Sequence, residues 1–217
     1  MILLEACLDT PELAVAAEQG GAGRIELCDR LEVGGTTPSD ELIRSVVAAV
    51  RIPVFAIIRA RGGDFTYTLA EMEIMRRDAA RMRGLGAAGI VFGALTSAGA
   101  VDGGANRSVI EAAGGLPCTF HLAFERAKDR GAALEELIAL GFRRVLTRGG
   151  GKTALDGVEG LQRLIEQAAG RIGILAGGNV REDNVAEIVR RSGVREVHSR
   201  GLRVAEMVRR ANDEVKR

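Results

Sequence analysis

Eight short, mostly apolar segments recur along the 217-residue chain: "ILLEA", "RIELC", "PVFAIIR", "GIVFG", "CTFH", "RRVLT", "RIGILAGG" and "REVHS". Each is leucine-rich or β-branched and short, as strands buried on both faces should be. Their C-terminal ends fall near Glu5, Glu26, Arg59, Gly93, His121, Thr147, Gly177 and His198, so successive ends are 21, 33, 34, 28, 26, 30 and 21 residues apart. Every interval has room for one helix. Eight repeated βα units predict a (β/α)8 TIM barrel forming a single domain over residues 1–217, near the lower size limit of that fold. The competing arrangement is a doubly wound open sheet. Against it, no strand is followed by the G-x-G-x-x-G fingerprint, and polar residues end early, middle and late strands alike instead of clustering at one switch point. The missing fingerprint also argues against a nucleotide cofactor.

The intervening helices carry their own signals. "TTPSDELIRSVVAAV" predicts a helix with Thr37 at the cap, Pro38 in the first turn and an inward stripe of Leu42, Val46, Val47 and Val50. "AALEELIALGF" is expected to end at Gly141. In "LAEMEIMRRDAARMRGLG", Met72, Met75, Ala79 and Met82 fall at helical spacing, which reads as core packing and not as a methionine metal site.

A barrel brings its strand C-termini to one mouth. Glu5, Glu26, Arg59, Arg61, His121 and His198, scattered in sequence, then share a cavity. Buried carboxylates need partners, and Arg59, Arg61 and the histidines are the cations at hand. Such a network is either structural, catalytic, or both. Residues i and i+2 of a strand face the same way, so Glu5 projects with Cys7 and Glu26 with Cys28 on neighbouring strands. Two thiols there offer a soft ion such as Cu(I) a pair of ligands. Alternatively they are small buried hydrophobes that bind nothing.

Four further stretches follow strand ends. In "RARGGDFTY", Gly62 and Gly63 allow a tight loop, Asp64 can cap or pair with an arginine, and Phe65 can cover the site. "TFHLAFE" offers His121 as acid, base or ligand, with Glu125 as its orienting partner. "TRGGGKT" and "LAGGNV" place Arg148, Gly149, Gly150, Gly177 and Gly178 in glycine-rich loops, and Arg200 follows the last strand. Loops after late barrel strands often cradle phosphate, and Arg148, Lys152 and Arg200 add charge; tight turns alone would also use these glycines. The charge distribution agrees in direction: residues 1–120 hold 11 basic and 15 acidic side chains, residues 121–217 hold 19 and 14.

Composition narrows the remaining classes. A net charge of +1 gives no support to a nucleic-acid partner. Three cysteines are too few and too odd in number for a disulfide scaffold, which points to free thiols in a reducing compartment. The N-terminus lacks a basic leader region, Glu5 and Asp9 interrupt its apolar run, and no stretch reaches the roughly 18 apolar residues of a membrane span. A cytoplasmic protein without a membrane partner is expected.

Together "LLEACLDT", "RIELCDRLEVGGTTPS", "IPVFAIIRARGGDFTY", "TFHLAFE", "RVLTRGG" and "EVHSR", in this order from Met1 to about Ser199, resemble the CutC copper-homeostasis family. The resemblance implies a TIM barrel, a cytoplasmic role in copper handling, Cys7 and Cys28 as Cu(I) ligands, and a homo-oligomer. It also implies a strand-end polar set of Glu5, Glu26, Arg59, Arg61, Asp64, His121 and His198 that looks like an enzyme site of unassigned substrate. The chain departs from the family pattern where "HLAFE" stands for "HRAFD": Leu122 removes a cation and Glu125 lengthens an acid. Arg148 and Arg200 are gained where the family has serines, and the chain continues only briefly past the last strand, which bears on the final helix and on oligomer contacts.

Two functions follow as expectations. One is copper homeostasis through thiol-bound Cu(I). The other is a barrel enzyme acting on a small anionic or phosphorylated metabolite, with Glu5 or Glu26 as acid or base, His121 assisting and Arg59 clamping the anion. Only 3% of residues are aromatic and none is Trp, so charge and not stacking should dominate recognition. A purely structural network is the remaining possibility.

Overall fold

The computed structural model describes residues 1–200 and 203–215. Eight strands alternate with eight helices: β1 (Leu3–Leu8), α1 (Pro11–Gln19), β2 (Arg24–Leu27), α2 (Asp40–Ala49), β3 (Val54–Ile57), α3 (Leu69–Met82), β4 (Gly89–Phe92), α4 (Gly103–Ala112), β5 (Cys118–Phe120), α5 (Arg130–Leu140), β6 (Arg144–Thr147), α6 (Val158–Ala168), β7 (Gly173–Ala176), α7 (Val185–Ser192), β8 (Glu196–Ser199) and α8 (Val204–Val215). The strands pair in parallel and in chain order, and β8 closes on β1, giving the expected (β/α)8 barrel.

Side-chain alternation divides each strand between two cores. Leu4, Ala6, Ile25, Ala56, Phe92 and Val197 belong to the apolar layer between barrel and helices. Their neighbours Glu5, Glu26, Phe55 and His198 belong to the other face, inside the barrel. The inward ring of Phe55 is accommodated by a glycine on the neighbouring strand: a Cβ on Gly89 would lie 2.5 Å from Phe55 Cζ. Just past β4, a Cβ on Gly93 would lie 2.8 Å from Phe120 Cε2, a ring of the outer apolar layer.

Local chemistry sets the helix boundaries. Thr10 caps α1, with Pro11 following it. Thr68 and Glu71 form a reciprocal capping box on α3. The methionine stripe of α3 is buried, as its spacing implied. Gly141 ends α5 in a left-handed conformation at φ 85°. The start of α2 differs from expectation: Ser39 and not Thr37 accepts the Leu42 N–H. Thr37 is engaged elsewhere, because its backbone N–H donates to the Arg59 carbonyl and its Oγ1 accepts from Arg59 N at 2.9 Å. The helix therefore begins at Asp40, and its fully buried stripe is Ile43 and Val46, with Leu42, Val47 and Val50 packed only partly against the core.

Candidate functional site

The inward-facing residues of β1, β2 and β8 build an ionic column from the barrel interior toward the mouth. Register brings Glu5 opposite both Arg24 and His198, and Cys7 opposite Glu26. Arg24 forms a buried ion pair with Glu5 and a second, at 2.6 Å, with Glu196, which in turn accepts from Arg144 at 3.0 Å. Both guanidinium groups lie over Phe55, with centroid distances of 5.4 and 5.2 Å. Above this floor, His198 Nδ1 lies 2.8 Å from Glu5 Oε1 and 3.5 Å from Glu26 Oε2. At the top, the Cys7 and Cys28 sulfurs are 3.8 Å apart, and both thiols are free.

These contacts sort the protons. Burial by itself would raise Glu5, but the His198 hydrogen bond and the Arg24 charge outweigh it and hold the carboxyl down to about 2. Burial instead dominates at Glu26, and the nearby Cys7 and Glu5 charges add to it, so this carboxyl is kept well above its ordinary range. The contact with the Cys28 thiol, together with His198, overcomes burial and lowers Cys7 to about 5. By the same contact, Cys28 is pushed well above its ordinary value. Burial disfavours charge on His198, yet hydrogen bonds to Cys7 and Glu5 and the negative charge on Cys7 hold it protonated well above its usual range. At neutral pH the column thus holds Glu5 as a carboxylate, Cys7 as a thiolate, Cys28 as a thiol and His198 as an imidazolium, with the Glu26 carboxyl biased toward its protonated form.

A cavity of about 230 Å³ opens above the column, bordered by Cys7, Glu26, Cys28 and His198 on one side and by Arg59 and His121 among others. Phe65 covers both Arg59 and His121, with the guanidinium carbon 4.9 Å and the imidazole centroid 4.8 Å from its own. Leu122 and Arg200 also line the cavity. Arg200 thus places a cation at the rim, while Arg200 Nη2 itself donates to the Leu31 carbonyl.

Several sequence-proposed residues sit elsewhere. Glu5 lies beneath the cavity and not on its wall. Arg59 does not pair with either glutamate: its Nη1 donates to the Val33 and Gly35 carbonyls and its Nη2 to Gly63. Arg61 is outside the cavity, paired with Asp64 at 3.0 Å and Glu71 at 2.6 Å, because β3 ends at Ile57 and strand alternation no longer governs the chain beyond it. The true partners of the glutamates are Arg24 and His198. Arg24 was missed although it precedes Glu26 by two residues and so shares its face; the same spacing links Glu196 to His198.

Glu125 does not orient His121. It accepts instead from Thr147 Oγ1 and from the Arg148 backbone N–H. The glycine loops have steric causes: a Cβ on Gly149 would strike the Gly157 carbonyl oxygen, and Gly149 adopts φ 67°; a Cβ on Gly178 would strike the Arg148 side chain, and one on Gly177 would lie 2.5 Å from Leu146 Cδ1. Gly150 adopts φ 83°. Arg148 Nη1 donates to the Lys152 carbonyl. None of Arg148, Gly149, Gly150, Gly177 and Gly178 borders the cavity.

Among the described residues, Cys7, Glu26 and His198 form a group whose potential ligand atoms all lie within 4.8 Å of one another. Cys28 adds a second sulfur through its contact with Cys7. The fold and this site define a (β/α)8 barrel protein with sulfur, nitrogen and oxygen donors at the C-terminal ends of its first, second and last strands. The chain belongs to the CutC family, whose profile matches residues 2–202. It is 48% identical over 196 residues to the human copper homeostasis protein cutC homolog, covering 90% of this chain and 72% of that one. A Caulobacter vibrioides family protein CutC is 47% identical over 197 residues, covering 91% and 80%. A solved structure of a copper homeostasis protein CutC from Streptococcus agalactiae superposes with a TM-score of 0.88 at 35% identity, covering 93% of this chain and all (100%) of that one. A Rubisco-like protein from Rhodopseudomonas palustris, at 19% identity and a TM-score of 0.73, shares the fold alone.

Proposed function

We propose that this protein serves copper homeostasis by holding Cu(I) on the sulfurs of Cys7 and Cys28. The observation that carries the reading is the 3.8 Å approach of these two free thiols at the mouth. Thiolate is a soft donor suited to Cu(I), whereas a carboxylate is a hard one, so the sulfurs and not Glu26 would be the principal ligands. Cys7 is already a thiolate, held at about 5, while Cys28 must surrender its proton to become a second one. His198 would add a nitrogen donor only by giving up the proton that Glu5 and Cys7 help it keep. The names of the human and Streptococcus relatives, which specify copper homeostasis, support the same reading.

This role requires reduced thiols, a condition the cytoplasm meets. The protein is read as cytoplasmic and, from the family resemblance alone, as a homo-oligomer. No helix among the described residues is long and apolar enough to cross a membrane. A competition titration against a Cu(I) chelator, with Cys7→Ser and Cys28→Ser variants, tests the assignment. Wild type should retain Cu(I), and each variant should bind it at least about tenfold more weakly. Equal affinity in all three proteins would overturn it.

A further inference from the structure

We propose that Arg59 and His121, with their unpaired Nε–H and Nε2–H donors, form a subsite in the barrel mouth for the carboxylate of a small organic acid. This site lies in the same cavity as the thiols but rests on neither thiol and needs no metal.

Arg59 is only 4% exposed. Three of its N–H groups are spent on the Val33, Gly35 and Gly63 carbonyls, all neutral acceptors, and among the described residues no carboxylate stands within ion-pair distance of it. Its Nε is buried without a hydrogen-bond partner. A buried guanidinium lacking a counter-ion is costly, and an unpaired buried donor costs about 1–3 kcal/mol more. His121, also 4% exposed, repeats the pattern. Its Nδ1 accepts the Ala123 backbone N–H at 3.3 Å, so in the neutral ring the proton resides on Nε2. Burial and the Arg59 charge, which hold this imidazole down to about 3, keep it neutral. His121 Nε2 is likewise buried without a partner.

Arg59 and His121, which follow the ends of β3 and β5 and each carry a buried donor without a partner, therefore border one cavity and share one aromatic neighbour, Phe65. What His121 lacks is an acceptor, and what Arg59 lacks, with only neutral carbonyls and the neutral Tyr67 hydroxyl beside it, is an anion; a carboxylate supplies both. Ile57, Phe65, Leu122 and Leu146 line the same space and suit a short apolar body. The volume of about 230 Å³ is below the roughly 300–1,000 Å³ of drug-sized pockets, which limits the ligand to a few carbons. Phosphate fits less well, because two free donors leave most of its oxygens unsatisfied. Arg200 at the rim offers a second cation and favours a dicarboxylate.

The test uses copper-free full-length protein labelled with [15N]histidine and follows the ring resonances on addition of malonate, pyruvate or inorganic phosphate. Only two histidines are present. His121→Asn identifies the relevant signal, because asparagine Oδ1 can keep the Ala123 cap while the Nε2 donor is lost. The expected result is a neutral Nε2–H tautomer for His121, a saturable shift with malonate or pyruvate, and binding by His121→Asn weaker by at least about tenfold in calorimetry. No saturable shift with either acid, tighter binding of phosphate than of both acids, or equal affinity in the variant would overturn the proposal. The wild-type resonance decides the matter should the variant fail to fold. Because no copper is present, failure here leaves the thiol assignment standing, and failure of that assignment leaves this one standing.

Discussion

Cys7 and Cys28 touch sulfur to sulfur at 3.8 Å across β1 and β2, and the thiol of Cys28 stabilises the thiolate of Cys7. The pair is asymmetric. Cys7 is half-buried and carries the thiolate, and Cys28 is buried and protonated.

That asymmetry predicts selective chemistry, because the thiolate is the nucleophile. Iodoacetamide should label Cys7 in the native protein, while Cys28 and Cys118, the latter pushed by burial up to about 12, stay protected until unfolding. The rate at Cys7 should change little between about pH 6 and about pH 8, since both lie above its value of about 5. Peptide mapping by mass spectrometry checks this. Equal labelling of all three cysteines, or a Cys7 rate that climbs steadily through that range, would contradict it.

The two glutamates should respond oppositely to loss of charge. Glu5 is depressed from 4.5 to about 2, so its contribution is fully present above pH 4.5 and is lost as pH falls through about 2. Glu5→Gln leaves Arg24 and His198 without their shared carboxylate and should cost about 3–5 kcal/mol at neutral pH. Glu26 is raised, so its contribution is present below the ordinary carboxylate value and lost as pH rises through the folded one. Glu26→Gln mimics its protonated state and should change stability by no more than about 1 kcal/mol. Urea unfolding at neutral and acidic pH measures both. Equal costs for the two variants would contradict the assigned protonation states.

Packing inside the barrel predicts a coupled pair. Gly89→Ala would drive a methyl into the Phe55 ring and should destabilise by about 1–3 kcal/mol. Phe55→Leu removes the obstructing ring, so in its background the added methyl should cost much less, at least about 1 kcal/mol below the additive value. Strict additivity in a double-mutant cycle would show that the ring and Gly89 are not packed as described.

The barrel was legible because each strand is a short apolar run and each interval holds one helix, a pattern that local sequence carries. The position of the mouth residues followed from the same geometry: Glu5, Glu26, Cys7, Cys28 and His198 come together because β1, β2 and β8 are neighbours. Partnership was less legible. Arg24 opens its strand and reads as a flanking charge, yet period-two spacing puts it on the face of Glu26 and register sets it beside Glu5. Arg61, expected at the mouth because strand ends converge there, lies outside the cavity because β3 ends four residues earlier at Ile57 and the loop turns the side chain to Asp64 and Glu71. Thr37 was misread as a cap because its actual bonds run to Arg59, 22 residues away, and no local signal announces such a contact. The bonds of Glu125 to Thr147 and Arg148 were hidden for the same reason.

X-ray absorption at the copper edge, on protein loaded with one equivalent of Cu(I), addresses the copper assignment most directly. The account predicts sulfur scatterers in the first coordination shell and their disappearance in the Cys7→Ser/Cys28→Ser double variant. A shell of nitrogen and oxygen alone in the wild type, or an unchanged sulfur shell in the double variant, would contradict it.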